Sequence, residues 1–391
     1  MKRILLVVFC FWQIVSYADD FTDQKKREVA GIFPFLESGE RWTRMRFQSF
    51  MASKGIRFSG SETLLTARLN NRKFFGVPAV EMRGYFDKAH LLESIDITFA
   101  NKGDSAGTKN MNRAINRNGK DIHSNLTLLY GSAVRKKFGS RKISTRGVSW
   151  KAGASEIALE RVRNEYVVLH LFIGQKKSSA HLPLKFDVKS ADVSQKVKKN
   201  DFGDVFIADI PMVNQGNKGY CVPATVERVL RHYGINNINM HFIADKANTG
   251  TGGGTSFKGV TQALIPIGRA LGLTLVPAGD VRIGMLKKYI DRGFPVFWFM
   301  YVNQEYEAIR RSSRTQRKQS RSAKAWAKEI RSYRVPGKGE AHVCLVIGYN
   351  AETEEIAVSN SWGAQEVQPT WVPLRVARKV SQGRTFILYP R

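Results

Sequence analysis

Around Pro223 the chain changes from irregular to periodic, and that change sets what its second half can fold into. The segment Asn214-Gln215-Gly216-Asn217-Lys218-Gly219-Tyr220-Cys221-Val222-Pro223-Ala224 opens with Gly- and Asn-rich sequence typical of a loop. From Pro223 the spacing turns helical: Val226, Val229, Leu230 and Tyr233 share a face, and Gly234 supplies the stop. Cys221 therefore falls at the amino end of a helix whose apolar side must pack on something.

The chain beyond Gly234 supplies the packing partner. Two further helices are expected, from Ser256 toward Leu271 with Pro266 as a kink or early break, and from Arg282 to Arg292 ending at Gly293. The apolar run Pro295 to Tyr301 reads as a buried strand. Val343 to Tyr349 and Glu355 to Asn360 read as two strands joined by a turn over Asn350 to Glu354. Residues 200–391 are thus expected to form an α+β domain, with a helix bearing Cys221 packed on an antiparallel sheet. Residues 306–338 interrupt it as a basic insertion: Arg310 to Lys338 holds eleven basic residues and one acid, Glu329. Such a run reads either as a solvated helix-loop face or as a lid or anion-docking surface.

A chain of 391 residues suits two domains, and residues 19–195 read as a β-rich first one. Ile95, Ile97 and Phe99 alternate with polar residues, as in a half-buried strand ending at Asn101-Lys102-Gly103-Asp104. Ile157 to Val162 and Tyr166 to Phe172 flank Arg163-Asn164-Glu165 as a hairpin. Asp121 to Lys137 is expected to be a helix carrying Ile122, Leu126, Leu129 and Val134. Ser190 to Gly203 reads as the linker to the second domain, which opens with a strand from Val205 to Ile210. No chemical motif stands out in this half.

Residues 1–18 read as an export signal: Lys2 and Arg3, an apolar run from Ile4 to Val15, then Ser16-Tyr17-Ala18. That run is short of the ~20 residues needed to span a bilayer, and bulky Phe9 before Cys10 argues against lipoprotein processing. A secreted or periplasmic protein is expected, with Cys221 and Cys344 as its mature cysteines. The formal net charge of +29, from which Lys2 and Arg3 leave with the signal, favours anionic surfaces and polymers as partners. No zinc finger, RNA-recognition signature or dedicated nucleic-acid motif accompanies it. Asp, Glu and His clusters with metal-ligand spacing are absent, so no metal or other cofactor is expected.

A thiol becomes a useful nucleophile when a helix amino end and a neighbouring imidazolium stabilise its thiolate. Cys221 has the first by position. Of the seven histidines, His232 lies eleven residues along the same helix, roughly 16 Å away at 1.5 Å per residue, and His241 sits in a connecting segment. His342 begins a strand, and the paired strand ends in Asn360-Ser361-Trp362-Gly363. That hairpin sets His342 beside Asn360, whose amide can orient the imidazole.

On these residues, residues 205–391 resemble the papain-like cysteine peptidases, and within them the bacterial domains similar to double-glycine leader-cleaving peptidases (C39-like). The resemblance implies Cys221 as nucleophile, His342 as base and Asn360 as the residue that orients it. Gln215, six positions before Cys221, would donate to the oxyanion hole with the Cys221 amide. The Trp of Asn-Ser-Trp-Gly would shield the Asn–His bond. The papain signature Cys-Gly-Ser-Cys-Trp is absent, Gly219-Tyr220-Cys221-Val222-Pro223 standing in its place, and so is a recognisable inhibitory prosegment. The implied activity is peptide hydrolysis through a thioester, with an ion-paired Cys221 and His342. The alternatives are an acyl transferase or transpeptidase on the same site, or an inactive peptidase-fold protein docking anionic partners.

Two features carry alternative readings. Cys344 lies two residues after His342; a disulfide to Cys221 would disable the site, whereas a core position would leave a free thiol acting as a small hydrophobe. Gly252-Gly253-Gly254-Thr255-Ser256 lacks the Gly-Lys-Ser/Thr of a phosphate loop and reads as a cleft loop.

Overall fold

The computed structural model describes residues 23–24, 26–60, 62–104, 108–140, 143–174, 193–216, 218–236, 238–250, 254–320, 322–334, 338–363, 366 and 368–390. The expected export signal lies outside the described residues, as do residues 190–192 of the expected linker and Gly252-Gly253 of the glycine run. The chain divides into two compact units, with the division near residue 180 and two short stretches around residues 103–106 and 140–143 assigned to the second. Both are mixed α+β with antiparallel sheets.

In the first unit, helices α1 (Phe35–Ser38) and α2 (Arg44–Ser53) precede strands β1 (Ser59–Gly60), β2 (Leu64–Arg68), β3 (Lys73–Phe74), β4 (Val77–Pro78), β5 (Glu81–Phe86) and β6 (Leu92–Asn101). Helix α3 (Thr108–Tyr130) leads to β7 (Val134–Ser140), β8 (Ile143–Ala152), β9 (Ser155–Val162) and β10 (Tyr166–Phe172). Eight of these strands form one sheet in the order β1-β2-β5-β6-β10-β9-β8-β7. The β9–β10 hairpin is as the sequence predicts, with Tyr166 opposite Val162 and Asn164 in the left-handed backbone region.

Two expectations for this unit are corrected. The helix starts thirteen residues earlier than predicted and stops before Gly131, whose φ of 80° ends it. Ile122 and Leu126 are buried as expected, but Val134 lies in β7 and is 69% exposed. Strand β6 is not half-buried, because its polar residues are covered too. Asp96 accepts from Tyr85 Oη at 2.8 Å and pairs with His170 Nδ1 at 2.6 Å, while His170 Nε2 lies 3.2 Å from Glu160 Oε2. Burial works against a charge on His170, but the Asp96 and Glu160 carboxylates outweigh it and push its pKa up to about 10. Mutual pairing is what lets the polar face be buried.

The second unit contains β11 (Val197–Lys199), β12 (Asp204–Ile207), helices α4 (Cys221–His232), α5 (Met240–Lys246) and α6 (Phe257–Leu271), β13 (Leu273–Pro277), α7 (Ile283–Ile290) and β14 (Val296–Val302). Helices α8 (Gln304–Gln319) and α9 (Ala323–Glu329) come next, then β15 (Glu340–Asn350), β16 (Glu355–Ser359), β17 (Thr370–Pro373), α10 (Leu374–Val380) and β18 (Ser381–Pro390). The sheet runs β11-β12-β15-β14-β18-β13, and β16 pairs with both β15 and β17. The described part of the expected linker is integral to this unit: Val193 is 3% exposed within its core, and Val197–Lys199 pair with β12. The pairing explains the earlier start of the unit.

Helix α4 is the hub. The sequence shows one apolar face, yet every residue from Val222 to His232 is buried. Its polar side chains survive there by bonding to neighbouring backbone. Glu227 Oε2 accepts from Met240 N at 2.7 Å and pairs with Arg231 at 2.8 Å, and His232 Nε2 lies 2.9 Å from Gly293 O. Pro266 neither breaks nor ends α6, because it sits on the exposed side of a helix that runs on to Leu271.

The basic insertion is more than a solvated face. Tyr306 and Trp326 are buried at 1% and 0% exposure. Arg317 stacks on Phe202 and Trp371 at 4.5 and 4.2 Å and pairs with Asp204 and Glu355. Arg310 and Arg314 also turn inward, toward the turn after β16.

Candidate active site

The irregular segment before α4 and the turn after β16 meet through backbone and side-chain bonds. Gln215 N donates to Ser361 O at 2.8 Å, and Ser361 Oγ donates to Gln215 Oε1 at 2.6 Å. With its oxygen occupied, the Gln215 amide points its nitrogen the other way, where Nε2 donates to Lys218 O at 3.0 Å. Arg228, two turns along α4 from Cys221 and 1% exposed, binds the same region. Its Nε donates to Pro211 O at 3.0 Å, its Nη1 to Ser359 O and Asn360 O at 3.1 and 2.8 Å, and its Nη2 to Ser359 Oγ at 2.6 Å.

Cys221 is the first residue of α4 and is partly buried. The helix docks on β15 one residue past His342, where Thr225 Oγ1 donates to Val343 O at 3.3 Å. The thiol lies where the N–H groups of Val343, Val222 and Cys221 itself reach it. His342 is buried beside Asn360, with Nε2 3.0 Å from Asn360 Oδ1. An amide oxygen only accepts, so the imidazole carries its proton on Nε2 and leaves the Nδ1 lone pair free. Trp362 lies on the imidazole, ring centroids 4.7 Å apart, and Arg310 lies 5.2 Å over the same indole.

The charge state differs from the ion pair that the sequence leads one to expect. Burial raises the Cys221 thiol above its ordinary pKa, and the surrounding N–H groups offset this only in part. Burial likewise drives His342 down to about 4, against the opposing hydrogen bond to Asn360, with Arg310 lowering and Glu366 raising it. At neutral pH the resting pair is a thiol and a neutral imidazole, because a closed apolar surround costs more than one helix end returns.

Cys221 and Cys344 are both free thiols. Cys344 is fully buried, 3.6 Å from Met300 Sδ, and burial pushes its thiol well up. His232 is spent on Gly293 O, and the ring of His241 lies edge-on to Tyr220 at 6.1 Å between centroids.

Sequence reasoning missed Arg228, whose only signal was a cation in the apolar stretch Val226 to Leu230, and Glu366, which had none. Glu366 is 1% exposed and accepts from Asn360 Nδ2 at 3.3 Å. Arg310 donates to both its oxygens at 2.9 and 2.7 Å, and Arg314 pairs with it at 2.8 Å. Among the described residues no cluster of three or more His, Cys, Asp or Glu could hold a metal, and no helix is long and apolar enough to cross a membrane.

Solved structures similar to this chain include two peptidase domains. The peptidase domain of Streptococcus ComA, a bi-functional ABC transporter involved in a quorum sensing pathway, is 16% identical with a TM-score of 0.30, over 47% of this chain and 100% of that one. A C39-like peptidase from Bacillus anthracis is 14% identical with a TM-score of 0.32, over 48% of this chain and 98% of that one. No curated protein matches. The model of the Peptidase_C39 like family matches residues 207–380, a stretch that holds Gln215, Cys221, His342 and Asn360. Over that stretch, somewhat less than half of its length, the chain is similar to the Peptidase_C39 like family.

Proposed function

We propose that the protein is an exported cysteine peptidase that hydrolyses peptide bonds with Cys221 as nucleophile and His342 as base. The observation that carries this reading is the His342 Nε2 to Asn360 Oδ1 bond, which leaves Nδ1 as the free base, on the strand against which the Cys221 thiol docks. Because the resting pair is neutral, the proton passes from Sγ to His342 Nδ1 as sulfur attacks the substrate carbonyl. The oxyanion is held by the Cys221 amide and Gln215 Nε2, whose orientation Ser361 sets. His342 then protonates the leaving amine, and water cleaves the thioester. Residues 1–18 act as the export signal, and the exposed lysines and arginines of the insertion meet anionic polymers or surfaces.

The test is hydrolysis of a peptide substrate by the full chain. Cys221→Ala and His342→Ala should each abolish it, because the two act as a unit, and Asn360→Ala should only lower it. Full activity in Cys221→Ala overturns the reading.

A further inference from the structure

The geometry points to Glu366 as the positioning residue of this site: held by Arg310 and Arg314 of the basic insertion, it fixes the Asn360 amide, and through it the His342 imidazole. The inference rests on the peptidase reading and extends it to a residue outside the Cys-His-Asn set.

Asn360 can orient His342 only if its own amide is the right way round. Its Oδ1 must face Nε2–H of His342, and an amide rotated by half a turn would present N–H there instead. Glu366 decides between the two. Its Oε2 lies 3.3 Å from Asn360 Nδ2, and a carboxylate offers no hydrogen, so the nitrogen must take that side. For this to work the carboxylate must stay ionised in a buried position. Burial works to protonate it, but Arg310 and Arg314 outweigh that and hold its pKa below the ordinary range. Arg310 in turn is fixed by Glu307 at 2.9 Å within α8, so the chain of contacts ends on a helix rather than on a mobile side chain.

The experiment measures kcat and KM for a peptide substrate in the full chain. Glu366→Ala should lower kcat about tenfold with KM changed less than about twofold, since the loss is of orientation and not of substrate contact. Arg310 keeps its Glu307 partner in that variant. Glu366→Gln retains an acceptor oxygen and should stay within about threefold of the parent. In an Asn360→Ala background Glu366→Ala should change kcat less than about twofold, because the residue it acts through is gone. Parental kcat in Glu366→Ala, or the same loss in both backgrounds, overturns the proposal. Should Glu366→Ala not fold, Asn360→Asp sets two acceptors face to face and should lose about tenfold in kcat, recovered when Glu366→Gln is added; no recovery overturns it as well. Cys221→Ala keeps the two readings apart. Hydrolysis persisting there refutes the site itself, whereas an inactive Cys221→Ala with additive Glu366 effects refutes the positioning role alone.

Discussion

Arg228→Met removes the guanidinium that ties helix α4 to the two segments flanking the site, while keeping a flexible side chain of similar length. Three carbonyls, those of Pro211, Ser359 and Asn360, and the Ser359 hydroxyl lose their partner at a position that is 1% exposed. An unsatisfied buried acceptor costs about 1–3 kcal/mol. Removing a buried charge offsets part of the sum, since an ionised group in an apolar surround carries its own desolvation cost. The net loss should be about 2–4 kcal/mol, a large share of the ~5–15 kcal/mol that holds a domain folded. Urea unfolding followed by tryptophan fluorescence reads this directly. With a slope of roughly 1–3 kcal/mol/M the second unit's midpoint should fall by about 1–2 M. The tryptophans Trp298, Trp326, Trp362 and Trp371 report on that unit. A loss below about 0.5 kcal/mol, the range of an ordinary surface change, would refute the clamp.

The charge states and the surface lead to two more outcomes. Brief alkylation of the native chain should label Cys221 and spare Cys344 until denaturant is added; because burial raises the Cys221 pKa, the rate should climb about tenfold per pH unit from pH ~6 upward. A rate already at its plateau at pH ~6 would restore the ion pair and refute the neutral resting state. Replacing exposed Lys324, Lys328, Arg331 and Arg334 with serine should lower the salt needed to elute the protein from an immobilised acidic polymer, while Arg310 and Arg317, already paired within the unit, contribute little. Retention unaffected by salt would show that charge is not what binds.

The parts of this molecule legible in the sequence are those set by neighbours in the chain. The hairpin around Asn164 and the start of α4 at Cys221 depend on turn chemistry and local periodicity. The His342–Asn360 contact could be read because a hairpin brings its two strands together in a known way. What could not be read depends on distant partners. Glu366 can be a buried carboxylate because Arg310, 56 residues away in sequence, and Arg314 reach it. Asp96 can be buried because Tyr85 on β5 and His170 on β10 come alongside it. Val134 fitted the helical spacing, but Gly131 had already ended the helix. The neutral state of Cys221 and His342 was missed for the same reason, since a helix end is visible in sequence and the closure of the surrounding core is not.

On the proposed reading, the inward arginines of the insertion act on the site through charge as well as through geometry. A carboxylate next to Asn360 would by itself favour an imidazolium at His342 and take away the free base. Glu366 does act in that direction, but Arg310 pushes the other way, and its influence on His342 is the larger of the two. The Arg310–Glu366 pair thus gives Asn360 an acceptor to lean on without turning the nearby imidazole into a cation. Trp362 contacts both the His342 imidazole, at 4.7 Å between centroids, and the Arg310 guanidinium, at 5.2 Å. An insertion whose sequence shows little beyond positive charge therefore uses that charge in two ways. Arg310, Arg314 and Arg317 are consumed in framing the site and the edge of its sheet, whereas Arg311 of α8 and Lys324, Lys328, Arg331 and Arg334 of α9 and the segment after it face outward.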